Sequence, residues 1–218
     1  IDHGDSWFAS WLFKYCNCQV RDRHQAIDNR FGCGIELLNA GINHQEDFLR
    51  ALRGDFGLDI KLSRSIRLDS KARGALDITF SPPKSVSLQA LVGKDAAVIE
   101  AHDHAVTKAL EFIESELVRA RQAEHGVTTM ERTGNAAIAK FRHETARPTE
   151  GKYSDPQLHT HAVLMNITQR ADGSWVAVSN DDIFRLKSMA ESIYHAALAS
   201  ALEKAGHTVR YEGKSFEL

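Results

Sequence analysis

The longest patterned element of the chain is an amphipathic helix predicted over residues 95–121. Apolar side chains recur there at the three- and four-residue spacing that gives a helix one apolar face. These side chains are Ala97, Val98, Ala101, Ala105, Ala109, Phe112, Ile113 and Leu117. A helix with such a face has to be covered by another layer of the protein, so the other patterns must supply that layer.

Strand patterns lie on both sides of this helix. Residues 75–80 alternate between apolar and polar side chains, which is typical of a half-buried strand. Further strands are predicted over residues 127–131, 136–145, 158–168, 174–178 and 208–211, and further helices between Asn43 and Gly54, over 85–92 and over 183–205. Turns at Thr133-Gly134-Asn135 and Asp172-Gly173 predict hairpins between the strands that flank them. The predicted fold class is α+β, with a mainly antiparallel sheet covered by helices on one face.

The composition is that of an ordinary globular protein, with 43% hydrophobic and 26% charged residues among 218. We expect a single domain over residues 1–218, in which residues 1–34 fit poorly. No apolar run approaches the roughly 20 residues that cross a bilayer and no signal-peptide pattern is present, so a cytoplasmic protein is expected. A net charge of −2 argues against a general nucleic-acid coat protein but permits a local basic groove.

Two histidines at the start of a predicted strand are the sharpest chemical signal. Side chains two residues apart on a strand point the same way, so His159 and His161 can bind one ion together. If the strand over residues 136–145 is their antiparallel neighbour, His143 brings a third imidazole to the same point. Three neutral nitrogen ligands leave a coordination position open, as in catalytic metal sites. The alternative interpretation is a polar strand face that binds no metal.

Asp77 is a second candidate, on the polar face of the strand over residues 75–80. A carboxylate there can orient a metal-bound imidazole or take a proton from a hydroxyl nucleophile. A solvated strand aspartate is the alternative. Basic residues near these strands are candidates for phosphate contacts, with scattered surface charge as the alternative for each. They are Arg73, Lys84, Lys140 and Arg142.

Three separate stretches carry a family likeness. Residues Leu76–Ser87, Lys140–Thr145 and Asp155–Val163 resemble the signature blocks of conjugative relaxases of the MobF or TrwC type. The similarity runs from about Phe31 to the end of the chain with its spacing intact. The resemblance implies a palm-like, five-stranded antiparallel sheet and a relaxase domain whose C-terminal part, with any helicase part, is absent from this sequence.

The resemblance also implies which residues carry the chemistry. One divalent cation, with Mg, Mn, Zn or Ni as candidates, is expected at His143, His159 and His161. Asp77 is expected to act as a base or orienting group, and Arg73 matches a DNA-contacting position.

The implied activity is site- and strand-specific nicking and rejoining of DNA at a plasmid transfer origin. In this family a tyrosine attacks a phosphodiester, forming a 5′-phosphotyrosyl link and a free 3′-hydroxyl. Expected partners are single-stranded DNA with an adjacent hairpin, accessory relaxosome proteins and a coupling protein, all in the bacterial cytoplasm.

The nucleophile is where the sequence departs from the family pattern. The family has paired tyrosines near its N-terminus, whereas residues 1–30 contain only Tyr15, which is the nucleophile by elimination. Tyr153 is a possible substitute in the loop before the paired histidines. Tyr194 has the spacing of a helical core residue and Tyr211 lies in a predicted terminal strand, so both are interpreted as structural. The alternative is that Tyr15 is a packing residue and the true nucleophile is absent.

Two other functions fit the same residues. A metal-dependent nuclease using activated water would release a free 5′-phosphate without a covalent adduct. A non-catalytic DNA-binding module would keep the fold and lack a competent tyrosine. The three cysteines, Cys16, Cys18 and Cys33, have neither disulfide nor zinc spacing and are interpreted as incidental reduced thiols.

Overall fold

A computed structural model describes residues 30–31, 74–124, 126–146, 154–213 and 215–218 of the chain. Its helices are α1 (Lys84–Leu91), α2 (Ala96–Phe112), α3 (Asp181–Arg185) and α4 (Lys187–Lys204), with a π-helical turn at Ile113–Leu117. Its strands are β1 (Arg30–Phe31), β2 (Ala75–Phe80), β3 (Arg119–Glu124), β4 (Val127–Arg132), β5 (Ile138–Thr145), β6 (Pro156–Met165), β7 (Thr168–Gln169), β8 (Trp175–Val176), β9 (Val178–Ser179), β10 (Arg210–Glu212) and β11 (Ser215–Glu217). The helix predicted between Asn43 and Gly54 lies outside the described residues.

The main sheet has the strand order β1-β5-β6-β2 in the described part of the chain. β1 and β5 are antiparallel, with Arg30 opposite Ala139. Two main-chain hydrogen bonds, from Ala146 to Asp155 and from Met165 to Ala137, join opposite ends of β5 and β6. This pattern requires those two strands to run antiparallel as well. β5 and β6 are therefore antiparallel neighbours, which is the condition for His143 to reach His159 and His161.

β2 forms the other described edge of this sheet. The amide of Asn166 donates to the carbonyl of Gly74, while Thr79 lies beside His161. Both pairs have the same sum of residue numbers, as an antiparallel register requires. The predicted α+β class and antiparallel sheet are confirmed, and the described residues supply four strands of that sheet.

The described residues fall into two compact units. The first contains Ile113–Phe141, Ala162–Arg185 and the described residues up to Ile78, and the second contains Thr79–Phe112, Arg142–His161 and Leu186–Leu218. In the second unit α2 packs against α4. The predicted apolar stripe of α2 supplies much of this core, with Val98, Ala105 and Ala109 fully buried. No helix in the described ranges has the length and apolar content that crossing a bilayer requires.

The long helix ends earlier than its sequence predicts. α2 stops at Phe112, a π-helical turn follows, and residues 119–121 belong to a strand. The sequence contains no glycine or proline here to mark the end. Strand pairing supplies the reason, because β3 pairs along its whole length with β4 and buries Ala120 completely.

The hairpin predicted around Thr133-Gly134-Asn135 is wrong. β4 pairs with β3 rather than with β5, and β3 also pairs with β9, so β4 and β5 lie in different sheets. The turn residues instead form a connection in which the Asn135 side chain donates to the carbonyls of Thr133 and Gln169. The second predicted hairpin is confirmed, because β7 pairs with β8 around Gly173, whose φ is 81°.

The last predicted helix is present but divided. α3 and α4 are separated at Leu186, where φ and ψ of −108° and 16° interrupt the helical backbone. Gly206, with a φ of 93°, follows the end of α4 as predicted, because glycine adopts this conformation without steric cost. The strand predicted at residues 208–211 is shifted to Arg210–Glu212 and pairs with β11.

Candidate metal centre

The three predicted histidine ligands converge in the second unit. The ring centroids of His143, His159 and His161 lie 5.1 to 5.2 Å apart in every pair. Their nearest ligand atoms all lie within 4.8 Å of one another. His143 is buried, while His159 and His161 are half-buried, so the site has one protected and two accessible imidazoles. This donor set fits a divalent ion with imidazole ligands and an open position for an oxygen ligand.

Hydrogen bonds orient two of the three rings. Nδ1 of His159 donates to the main-chain carbonyl of Gln157 at 3.1 Å. Nδ1 of His161 lies 3.2 Å from the hydroxyl of Thr79. With a proton on Nδ1, a neutral imidazole carries on Nε2 the lone pair that a metal ion takes. The Gln157 carbonyl can only accept, so the contact of His159 selects the tautomer in which Nε2 is the ligand atom. The Thr79 hydroxyl can donate or accept, so its contact orients the His161 ring without selecting a tautomer.

β6 explains why the two histidines share a face. Leu158, Thr160 and Ala162 are at most 3% exposed, whereas His159 and His161 between them are half-buried. Alternate side chains of a strand point to opposite sides, so Leu158, Thr160 and Ala162 turn toward the core and the two histidines turn away from it. The predicted separation of the histidine face from Leu158, Thr160 and Ala162 is confirmed.

A buried polar chain links β6 to two helices. Nε2 of His102, on α2, lies 2.8 Å from the hydroxyl of Thr160, and Nδ1 lies 2.8 Å from the hydroxyl of Tyr194, on α4. Burial lowers the pKa of His102 to about 3, with smaller contributions from Arg142 and His159. Burial likewise raises the pKa of Tyr194 well above its usual value. The imidazole is thus neutral and the phenol protonated, so one ring nitrogen donates and the other accepts.

Helix α1 holds the first residues of β6. Nζ of Lys84 donates to the carbonyl of Pro156 at 2.8 Å. The amide of Leu158 donates to the hydroxyl of Ser87 at 3.2 Å. The Lys84-Ser85-Val86-Ser87 segment therefore secures the strand just before the paired histidines. Phosphate binding by Lys84 stays a prediction.

Asp77 lies in β2, two residues before Thr79. The strand alternation gives Asp77 and Thr79 side chains on the same face, and Thr79 is the residue whose hydroxyl reaches His161. Asp77 belongs to the first compact unit and the three histidines to the second. The role of base or orienting group stays a prediction.

Arg142 has a partner on helix α2. Its guanidinium forms an ion pair with Asp103 at 2.6 Å. Since Arg142 precedes His143 on β5, its side chain lies on the opposite face of the strand from that histidine. A DNA contact by Arg142 stays a prediction.

The tyrosines separate into described and undescribed residues. Tyr15, Tyr153 and the DNA-contact candidate Arg73 lie outside the described residues. Tyr194 is 1% exposed, which agrees with its interpretation as a core residue. Tyr211 lies in β10, exposed, with its hydroxyl 3.3 Å from Glu203.

The buried hydrogen-bonded chain of Thr160, His102 and Tyr194 is not among the features that the sequence predicts. The signal was present, because His102 occupies a position on the apolar stripe of the helix between Ala101 and Ala105. A polar side chain at such a position has to find a buried hydrogen-bond partner.

Comparison with known proteins identifies the family of this chain. The TrwC relaxase family matches residues 19–218. The chain is 35% identical over 193 residues to the multifunctional conjugation protein TraI of Escherichia coli, which covers 84% of this chain and 11% of that protein. It is 37% identical over 169 residues to TraI of strain K12, with 77% and 9% covered. The chain thus spans only a small part of these curated relatives.

Solved structures of conjugative relaxase TrwC have the same fold. A metal-bound complex with OriT DNA matches all of this chain and 73% of that chain, with 41% identity and a TM-score of 0.85. A complex with a 27-mer DNA comprising the recognition hairpin and the cleavage site matches 87% of this chain and 67% of that chain, with 45% identity and a TM-score of 0.79. The chain belongs to the TrwC relaxase family, as its three motifs predict.

Proposed function

We propose that this chain nicks and rejoins one DNA strand at a plasmid transfer origin, site-specifically, for conjugative transfer. The observation that carries this proposal is the convergence of three imidazoles within 4.8 Å in a member of the TrwC relaxase family. Relatives of this chain are multifunctional conjugation proteins, and solved TrwC structures contain OriT DNA. The activity proposed here is the one for which those features are suited.

His143, His159 and His161 would hold a single divalent cation. Such an ion would polarise the non-bridging oxygens of the scissile phosphate and stabilise the negative charge of the transition state. Imidazole ligands favour Zn, Ni or Cu, and a phosphate oxygen in the open position makes Mg or Mn workable. A copper-bound structure of TrwC supports a site tolerant of several ions.

The nucleophile we propose is the hydroxyl oxygen of Tyr15. It would form a bond to the phosphorus while the bond from phosphorus to the 3′-oxygen breaks, leaving a 5′-phosphotyrosyl link and a free 3′-hydroxyl. Asp77 is proposed to take the tyrosine proton or to orient the site, and the 3′-oxygen gains a proton. The number of phosphodiester-type bonds is conserved, so the reverse reaction rejoins the strand.

Single-stranded DNA next to a hairpin is the proposed substrate. The TrwC complex with a recognition hairpin and cleavage site supports this substrate class. Arg73, Lys84 and Arg142 are proposed phosphate contacts, since basic side chains track the backbone of a single strand. The further partners proposed are relaxosome accessory proteins and a coupling protein. The proposed location is the bacterial cytoplasm.

A denaturing gel tests the proposal. Labelled single-stranded oligonucleotides covering the transfer origin are incubated with the full chain and a divalent ion. We expect a covalent protein–DNA band together with the free 3′-hydroxyl fragment, and loss of both with a chelator. Cleavage without a covalent band would indicate a nuclease using water, and a mobility shift without cleavage would indicate a binding module.

The nucleophile is tested separately by Tyr15→Phe. We expect this variant to bind the oligonucleotide and form no covalent adduct, because only the attacking hydroxyl is lost. Mass spectrometry of the peptide left on the 5′ end identifies the modified tyrosine in the unaltered chain. An adduct formed undiminished by Tyr15→Phe, or a modified peptide that contains Tyr153, would reject Tyr15.

A further inference from the structure

The strand that carries two of the three histidines is held by hydrogen bonds to residues of α1 and α2. Main-chain groups of Pro156 and Leu158 are bound by Lys84 and Ser87 at 2.8 and 3.2 Å. Beyond them, Thr160 is bound through its side chain to Nε2 of His102 at 2.8 Å. Thr160 stands between His159 and His161 in the strand, so its bond acts at the centre of the ligand pair.

The polar nature of this contact calls for a reason other than burial. His102, Thr160 and Tyr194 are 0%, 3% and 1% exposed, and each polar side-chain atom of these three residues has a hydrogen-bond partner. Replacing both members of a buried hydrogen bond by apolar groups of the same shape can leave stability nearly unchanged. A hydrogen bond differs from an apolar contact chiefly in being directional, so what the polar chain adds is a fixed orientation.

A fixed orientation matters because of the strand's period. A slip of one residue, or a rotation of β6 about its own axis, would carry His159 and His161 away from the face where they meet His143. Ligand distances of a metal site are correct only within about 0.2 Å, so a small rotation is enough to weaken it. The bond between Thr160 and His102 resists that rotation, and Tyr194 holds the other nitrogen of the imidazole.

We propose that His102, anchored by Tyr194, is a positioning residue that acts through Thr160 to hold His159 and His161 in metal-binding geometry. The proposal rests on the metal site of the proposed function. His102, Thr160 and Tyr194 then position the metal ligands in addition to filling the core. Loss of the positioning contact is expected to lower metal affinity by more than an equal loss of stability elsewhere in the protein does.

Thr160→Val is the test, because valine keeps the shape of threonine and removes the hydroxyl. Co²⁺ is titrated into the full chain below its unfolding temperature, with visible absorption reporting affinity and ligand geometry. We expect about tenfold weaker Co²⁺ binding, the low end of the effect of outer groups that orient metal ligands. Thr160→Ser restores the hydroxyl and is expected to recover most of the affinity and the original spectrum.

A matched control separates positioning from general loss of stability. Thr168 is also fully buried, and its hydroxyl is bonded to Thr133 and Asn135 in the first unit. Thr168→Val is expected to lower the unfolding temperature and leave the Co²⁺ affinity and spectrum unchanged. Tyr194→Phe removes only the hydrogen bond between Tyr194 and His102 and is expected to weaken Co²⁺ binding less than Thr160→Val does. If Thr160→Val does not fold, the Co²⁺ affinity of Tyr194→Phe is the test.

The outcomes are distinguishable. If the unaltered chain binds no Co²⁺, the metal site of the proposed function fails. If it binds Co²⁺ and folded Thr160→Val binds equally well with the same spectrum, His102 is a structural core residue only. An equal loss of affinity in Thr168→Val would also overturn the positioning role, because the effect would then follow from stability.

Discussion

The two faces of β6 differ in both environment and partners. On one face Leu158 and Thr160 are almost fully buried, and the hydroxyl of Thr160 is hydrogen-bonded to His102. On the other face His159 and His161 are half-buried and meet His143. A strand changes face at every residue, so the first half of β6 alternates between residues for the core and residues for the site.

Core packing and the proposed metal binding are thus assigned to alternate positions of a single segment. Beyond His161 the alternation ends, and residues 162–165 are all buried. The accessible face therefore extends only over the part of β6 that carries the histidines. Substitutions on the histidine face should accordingly reduce metal affinity, and substitutions on the buried face should reduce the free energy of unfolding.

The largest effect is expected for His161→Ala. Removal of one of three ligands should reduce metal affinity on the order of 100-fold or more and abolish cleavage, while metal-free stability changes by no more than about 0.5 kcal/mol. Metal content after dialysis and the denaturing gel report the two functions. His104→Ala is the matched control, because His104 is an exposed histidine of α2 that is not one of the three converging histidines. This variant should retain metal and activity. Unchanged metal stoichiometry in His161→Ala would remove that residue from the ligand set.

Leu158→Ala should produce the opposite kind of loss. Leu158 is 0% exposed, so its truncation leaves a cavity and is expected to reduce the free energy of unfolding by about 3 kcal/mol. Urea unfolding of the metal-free chain measures it, with His159→Ala as the comparison at the neighbouring position. A loss for His159→Ala as large as that for Leu158→Ala would contradict the division between the two faces.

The smallest effect is expected at the ion pair of Arg142 and Asp103, which extends the comparison to β5. Both side chains are partly exposed, so a double-mutant cycle with Arg142→Gln and Asp103→Asn should give a coupling energy of no more than about 1 kcal/mol. The proposed phosphate contact of Arg142 is tested by measuring the affinity for single-stranded DNA at several salt concentrations. If Arg142 contacts a phosphate, Arg142→Gln lowers the dependence of this affinity on salt concentration and Asp103→Asn does not. An unchanged salt dependence in Arg142→Gln would reject the contact.

The local patterns predicted most of the described elements and the histidine cluster. β2, α1, β5 and β6 were predictable because a period of two or of about four residues is visible within a short segment. His159 and His161 required only that period. Bringing His143 to them required the pairing of β5 with β6, which the sequence suggested through the polar loop between them.

The failures have a common physical cause. The end of the long helix and the partner of β4 are decided by pairing between β3 and β4, a tertiary contact that no local pattern specifies. Residues 119–121 continue an acceptable helical sequence, and Thr133-Gly134-Asn135 is an acceptable turn. The buried His102 was hidden for the same reason, because its partners come from β6 and α4.

The rings of His159 and His161 are oriented by different kinds of group. His159 is held by the carbonyl of Gln157, an atom that every residue type supplies at that position. His161 is held by the hydroxyl of Thr79, which depends on the side chain of a neighbouring strand. A substitution at position 79 can therefore remove the contact that orients the proposed ligand His161, whereas every residue type at position 157 keeps the carbonyl that orients His159.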